Sequence, residues 1–201
     1  MNIISSILTL MNTQKPRHKL SARLLHWTFA PAVLALISSG LYITRPTPNP
    51  VIKNMNTALK TQYTFQYILI FAYLARLYHG YATKSYRDII PDRKDISALP
   101  GFLKYELFLT KKKPKFPKYN PLQKILFTCL ALLIPLQIVT GLSLYAAKTF
   151  ARAVCLAGGL NPVRHSHYLT ALAISSLAGG HIYFALTRNL RKLKSIFTGH
   201  E

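Results

Sequence analysis

Acidic residues are scarce in this chain, and their scarcity excludes a class of membrane function. The 201 residues include 5 Asp and Glu against 26 Lys and Arg, which gives a formal net charge of +21. Four stretches contain no Asp, Glu, Lys or Arg: 24–44, 61–75, 125–147 and 165–187. A channel or transporter that relays protons needs acidic partners inside the membrane, and these stretches offer none. The sequence therefore argues against a proton-relaying transporter.

Cysteine is almost as rare, and it occurs without a metal-binding pattern. The two cysteines, Cys129 and Cys155, form no CxxC motif. This excludes a zinc knuckle and the covalent attachment of a c-type haem. The chain also shows no phosphate-binding loop, no nucleophile–base pair and no pair of carboxylates. We therefore expect no substrate-oxidising site in this chain, so any such reaction belongs to another subunit.

Long apolar segments are what the sequence does contain. Three of the uncharged stretches reach the ~20 residues that cross a bilayer, and the shorter one can be extended because Arg76 can snorkel at its end. The sequence predicts an all-α fold, an integral membrane four-helix bundle. The expected organisation is an N-terminal arm at about 1–20 and a membrane domain at about 21–198, with spans near 22–44, 60–83, 121–146 and 164–190.

The distribution of positive charge predicts the orientation of these spans. Lys and Arg cluster in the N-terminal arm, in the long segment between the second and third spans ("TKKKPKFPKY") and in the C-terminal tail. Positive residues collect on the cytoplasmic side, so both termini are expected in the cytoplasm and the chain in the inner (cytoplasmic) membrane. A basic surface beside anionic lipid explains the charge better than nucleic acid does. A short interfacial helix is expected near 98–110.

Histidines within the apolar spans are the main candidates for a functional site. The stretch "SHYLTALAISSLAGGHIYF" carries His167 and His181, fourteen residues apart. Helical geometry puts their rings about 40° apart on one face and about 21 Å apart along the axis. His26, in "ARLLHWTFA", is expected at a depth similar to that of His181. Imidazoles from two helices can clamp the iron of a haem, leaving no open site for oxygen and favouring electron transfer. The alternative for each ring is a hydrogen bond to a neighbouring helix or a place among the lipid headgroups.

Several motifs together resemble one family of membrane cytochromes. The stretches "RLLHW...SSGLYI", "IPDRKDI", "KYNPLQKILF...IVTGLSLY" and "HIYFAL", the last preceded by a second histidine, are similar to the cytochrome b subunit of respiratory Ni,Fe-hydrogenases and the gamma subunit of formate dehydrogenases. The resemblance implies four helices and two b haems stacked across the membrane. An iron–sulfur, cytochrome or catalytic oxidoreductase subunit would supply electrons to the outer haem, and the inner haem would reduce a quinone such as menaquinone.

The resemblance also assigns roles to individual residues. His26 and His181 match the iron ligands of the inner haem, and His167 matches one ligand of the outer haem. Asn120 matches a polar residue at the quinone site, although Asn before Pro121 is equally typical of a helix N-cap.

The chain departs from this pattern at the outer haem. The family takes the second ligand from the start of the second span, but no histidine occurs between residues 27 and 78. That position falls near Gln62, and Met55, Gln66 and His165 are further substitutes. Three outcomes are open: no outer haem, a five-coordinate haem on His167, or a haem whose ligation is completed by a partner subunit or by Met55, Gln62 or His165, and the last is the one we favour from the sequence. His79 lies at the opposite end of that span, where a role as a basic residue is preferred to haem ligation.

The sequence thus predicts a membrane cytochrome b that carries electrons between a partner redox subunit and the quinone pool. The alternative is a degenerate structural anchor of a redox complex, which carries one haem or none.

Overall fold

The structure is entirely helical in the part of the chain that it describes. This computed structural model describes residues 18–48, 50–112, 114–116, 118–188 and 190–200, with the backbone alone at 188 and 190–192. Within these ranges there is no strand, and the α-helices are α1 (Leu20–Thr44), α2 (Met55–Ala82), α3 (Arg93–Glu106), α4 (Pro121–Tyr145), α5 (Ala151–Leu156), α6 (Leu160–Arg188) and α7 (Leu190–Thr198). The predicted all-α class is confirmed. Most of the predicted N-terminal arm lies outside the described residues.

Three of these helices are long and apolar enough to cross a membrane. They are α1, α4 and the part of α6 that ends at Thr187. The second predicted span forms a helix of 28 residues, α2, which is long enough to cross. It is not among the three because residues such as Lys60, Gln66 and Arg76 lower its hydropathy. The chain therefore has three helices that could span a membrane, and a fourth span at α2 stays a prediction.

The chain divides into two compact units. The terminal unit comprises residues 1–76 and 182–201, and the central unit comprises residues 77–181.

In the terminal unit, α7 packs against the start of α1. The indole Nε1 of Trp27 donates to the carbonyl oxygen of Ile196 at 3.2 Å, and the Arg23 guanidinium donates to the same oxygen at 3.4 Å. The rings of Trp27 and Phe197 lie 4.5 Å apart. Carbonyl groups in the last turn of a helix have no partner inside the helix, so these two side chains stabilise that end of α7.

The same unit joins α1 to α2 through small and polar side chains. Ala32, Ala58 and Ala72 are buried, and small residues let helix backbones approach closely. The hydroxyl of Ser39, which is fully buried, donates to the amide oxygen of Gln62 at 2.6 Å. This contact ties the second half of α1 to the first half of α2.

In the central unit, α3 is fastened to the start of α4. Asp92 and Asp95 form a reciprocal capping box at the start of α3, and the Lys124 ammonium lies 2.7 Å from an Asp95 carboxylate oxygen. The hydroxyl of Thr128 donates to the carbonyl oxygen of Ile89 at 3.1 Å. The helix expected near 98–110 therefore exists, and it begins earlier because the Asp92 cap sets its first turn.

Candidate functional site

His181 and the start of α4 are linked by aromatic rings within the central unit. His181 is half-buried on α6, and its ring centroid lies 6.1 Å from that of Phe127 on α4. Phe127 also meets the ring of Tyr119 at 5.2 Å, in an edge-to-face arrangement. Tyr119 directly precedes Asn120. The imidazole of His181 and the polar end of α4 therefore border one aromatic cluster.

Asn120 caps α4, as the sequence predicts. Its side-chain oxygen accepts from the backbone N–H of Gln123 at 2.8 Å, and the Gln123 side chain accepts from the backbone N–H of Asn120 at 3.2 Å. Pro121 occupies the first helical position and is buried. This reciprocal box satisfies backbone donors that a helix start leaves without partners. The cap engages the oxygen of the Asn120 amide and does not use its NH₂ group.

His167 packs edge-on against α4, also within the central unit. Its Nδ1 lies 2.9 Å from the Thr140 hydroxyl, and its Nε2 lies 3.1 Å from the amide nitrogen of Gln137. A Cβ added at Gly141 would lie 3.2 Å from Cε1 of the same ring, so glycine is what lets the imidazole approach the helix so closely. The whole edge of the ring that carries its two nitrogens therefore faces α4.

Counting the available protons gives the direction of each hydrogen bond for either orientation of the Gln137 amide. The Thr140 hydroxyl donates to the carbonyl oxygen of Leu136 at 2.8 Å, and it has only one proton. It therefore accepts from Nδ1–H of His167, and Nε2 uses its lone pair to accept from the Gln137 amide. If the amide were turned end for end, Nε2–H would donate to its oxygen, and the Thr140 hydroxyl would donate to Nδ1 in place of the carbonyl oxygen of Leu136. Both ring nitrogens are engaged in either case.

In the terminal unit, His26 lies on the first half of α1. The ring is half-buried, and its centroid lies 5.1 Å from the ring of the neighbouring Trp27 in an edge-on arrangement. Because the indole N–H of Trp27 donates to the carbonyl oxygen of Ile196, α7 restricts the movement of the residue next to His26.

The donor chemistry of His26 and His181 fits a haem. Each is a half-buried imidazole on an apolar helix, next to an aromatic ring of its own unit. Imidazole is a ligand that suits haem iron, and two of them are typical of electron-transfer sites.

The residues considered as substitute iron ligands for the outer haem differ in their surroundings. Gln62 is bonded to Ser39, while Met55 is the first residue of α2 and is 40% exposed. His165 is exposed near the start of α6, and His79 is half-buried near the end of α2. In the ranges that the structure describes, no three His, Cys, Asp or Glu side chains gather as a metal cluster.

Sequence reasoning missed the residues that surround these histidines. Phe127, Gln137 and Thr140 contact His181 or His167, yet none was singled out. A signal was present for two of them, because Gln137 and Thr140 stand three residues apart in the otherwise apolar part of α4 between Cys129 and Leu142. Residues at this spacing share a face.

Comparison with known proteins identifies the family. The model of the prokaryotic cytochrome b561 family matches residues 17–199. A search of curated proteins finds no match. The matched region includes all the described helices and each of the histidines discussed above, and the resemblance to a cytochrome b subunit is confirmed. The chain belongs to the prokaryotic cytochrome b561 family and is thus a membrane b-type cytochrome that binds haem b and takes part in electron transfer.

Proposed function

We propose that this chain is the membrane-anchoring cytochrome b subunit of a respiratory oxidoreductase of the hydrogenase or formate dehydrogenase type. It carries electrons between a partner redox subunit and the quinone pool of the cytoplasmic membrane. The observation that carries the proposal is the family match over residues 17–199. The composition agrees, since the chain offers apolar spans and histidines but no site for oxidising a substrate.

His26 and His181 are the proposed ligands of the haem near the cytoplasmic surface. The sequence places them at similar depth, and each imidazole has the half-buried aromatic setting described above. Haem b supplies a one-electron carrier, and two imidazoles favour electron transfer over oxygen chemistry. Phe127 contributes by packing against the ring of His181, which restricts how that ring can turn.

The quinone is proposed to bind near the start of α4. Asn120 is the residue that the family resemblance assigns there, and the aromatic cluster of Tyr119 and Phe127 leads from it to His181. A quinone carbonyl gains charge and protons as it is reduced, so a nearby N–H donor stabilises the product. The Asn120 amide can donate while its oxygen remains in the helix cap.

The degenerate-anchor alternative rests on one feature, the lack of histidine between residues 27 and 78. In that case the chain would tether a redox complex without passing electrons to quinone. The two functions differ in a measurable way, because an anchor that carries one haem or none would not pass electrons to added quinone.

The test is to purify the full chain and measure its reduced-minus-oxidised spectrum and haem-to-polypeptide ratio. We expect a low-spin b-type spectrum that is lost in His26→Ala and in His181→Ala. The matched control is His200→Ala, which removes an exposed histidine with no proposed role and should leave the spectrum unchanged. A normal low-spin spectrum in both His26→Ala and His181→Ala would refute the ligand assignment, and failure of added quinone to oxidise the reduced wild-type haem would favour the anchor.

A further inference from the structure

The two residues that the family resemblance points to for an outer haem, His167 and Gln62, each form hydrogen bonds that join two helices of their own unit, and we call each set of bonds a clamp. We infer that this chain holds a single haem and that His167 and Gln62 are structural residues rather than iron ligands. This inference deepens the proposed function, on which it rests, by fixing the number of redox centres. Each clamp lies within its own unit, and the argument for each is independent of the other.

The first clamp joins α4 to α6 through His167. An imidazole binds iron through the lone pair of an unprotonated nitrogen. One nitrogen of His167 bonds to Thr140 and the other to Gln137, at 2.9 Å and 3.1 Å. Binding iron would break one of these contacts and leave a polar group of α4 without its partner in an apolar span, which is costly.

The position of the ring on α4 strengthens this point. Gly141 lies against Cε1, the atom between the two nitrogens, and the neighbouring Thr140 is buried. The imidazole is therefore held edge-on by three residues of α4: Gln137 through its amide, Thr140 through its hydroxyl, and Gly141 through the space that its missing side chain leaves. This is the arrangement of a side chain that packs two helices together.

The second clamp joins α1 to α2 through Gln62. The amide oxygen is the atom of glutamine that could ligate a metal, and it accepts from the buried Ser39 hydroxyl at 2.6 Å. Carbonyl oxygen suits Mg²⁺, Ca²⁺ or Mn²⁺, whereas imidazole suits haem iron. Gln62 is therefore a poor ligand for haem iron by its chemistry, and its amide oxygen already accepts a hydrogen bond from Ser39.

Both observations point the same way. The chain lacks a histidine where the family has one, and the residue in its place is bonded to a neighbouring helix. The histidine that remains at the other position has both nitrogens bonded to one helix. A site that had merely changed one ligand would keep its second imidazole available for iron. Here the polar atoms at both positions serve helix packing.

Haem counting on the intact, purified chain tests the inference. We expect one haem per polypeptide and a single one-electron component in a redox titration. His167→Ala should keep the haem ratio, the α-band and the midpoint potential of the wild type while lowering the thermal midpoint. Thr140→Val, which keeps the imidazole but removes a clamp partner, should behave in the same way. His181→Ala is the positive control, in which the haem should be lost.

Several results would overturn the inference. Two haems per chain would do so, as would a lower haem ratio or a shifted potential in His167→Ala or Thr140→Val. Gln62→His adds the missing imidazole, and a second haem in that variant would show that His167 is available to iron. Failure of the proposed function gives a different result. If His181→Ala and His167→Ala both keep the haem, the assignment of the inner haem ligands is wrong, but the inference that His167 does not bind iron still holds.

Discussion

At the scale of the residue, the amide of Asn120 has a structural contact at one end and a proposed functional contact at the other. Its oxygen caps α4 through the backbone of Gln123, while its NH₂ group is the proposed donor to quinone. A substitution that removes the whole amide therefore changes helix stability and quinone chemistry together. The two effects separate only if the replacement keeps a capping oxygen.

Asn120→Ser provides that separation. Serine is as good an N-cap as asparagine, so the thermal midpoint should stay close to that of the wild type, whereas Asn120→Leu should cost about 1 kcal/mol. Both variants lack the amide donor, so both should keep the haem spectrum and slow the oxidation of reduced haem by added quinone. Stopped-flow measurement of haem oxidation checks this. A normal rate in Asn120→Ser would limit Asn120 to its capping role.

The contacts of single residues could be predicted from the sequence only where the partner lies within the same helical turn. The cap at Asn120 follows from the order Asn, Pro and a residue able to return a bond three positions later, all within one turn. The partners of His167 could not be predicted in the same way. They come from a different helix, and their meeting depends on how α4 packs against α6, which no local pattern specifies. The same holds for Gln62 and Ser39, which are 23 residues apart.

At the scale of the element, α3 is held to the membrane span α4 by an ion pair. The side chains of Asp95 and Lys124 are 10% and 12% exposed, and their charged atoms lie 2.7 Å apart. Burial acts to raise the pKa of Asp95, but hydrogen bonds from the Asp92 backbone and from Lys124 outweigh it, so the pKa lies below its ordinary value of 3.8. By contrast, the pair of Asp88 and Lys118 is 46% and 40% exposed.

This pair should make stability depend on pH in the acid range. Because the folded pKa of Asp95 is lowered, its stabilising effect is complete above the ordinary pKa and is lost as the pH falls below it. Asp95→Asn should cost about 1–3 kcal/mol at neutral pH, since it leaves Lys124 without its counter-charge. Asp88→Asn should cost less than about 1 kcal/mol, because exposed pairs contribute little. Thermal midpoints measured from neutral to acid pH check both.

The variant and the wild type should converge in acid. As Asp95 becomes protonated, the wild type loses the contact that Asp95→Asn already lacks, so the difference between their thermal midpoints should shrink. A difference that stays constant down to the lowest pH at which the chain remains folded would contradict the role given to the ion pair.

The elements themselves were predictable to different degrees. The four long helices begin and end within about five residues of the bounds that the sequence predicts, because length and lack of charge are strong signals. The bounds of α2 were the least accurate: the helix starts at Met55 rather than near 60, because Asn54 accepts from the backbone of Thr57 and begins the helix earlier. The short helices α5 and α7 were not predicted. In α7, contacts from Arg23 and Trp27 hold the helix end, and those contacts are far away in sequence.

At the scale of the whole molecule, a single haem would confine electron transfer to one side of the membrane. The levels of His167 and His181 are about 21 Å apart along the helix, which is long for one direct electron step. Without a second haem, donor and quinone must both reach the haem near His181. A donor would then dock on the cytoplasmic side, where the Lys-rich segment before α4 favours an acidic partner. This consequence depends on the orientation that the distribution of Lys and Arg predicts.

Cys155 provides a direct test of that orientation. It is exposed on α5, between α4 and α6, in a segment predicted to face the outside. A membrane-impermeant maleimide should label the wild type in intact cells, and Cys155→Ser should lose the label because Cys129 is only partly accessible within a span. In the Cys155→Ser background, Lys112→Cys should be labelled only after the cells are opened, since residue 112 is predicted to be cytoplasmic. Labelling of Lys112→Cys alone in intact cells would invert the orientation. The haem near His181 would then face the outside, and a donor to a single haem would have to approach from there.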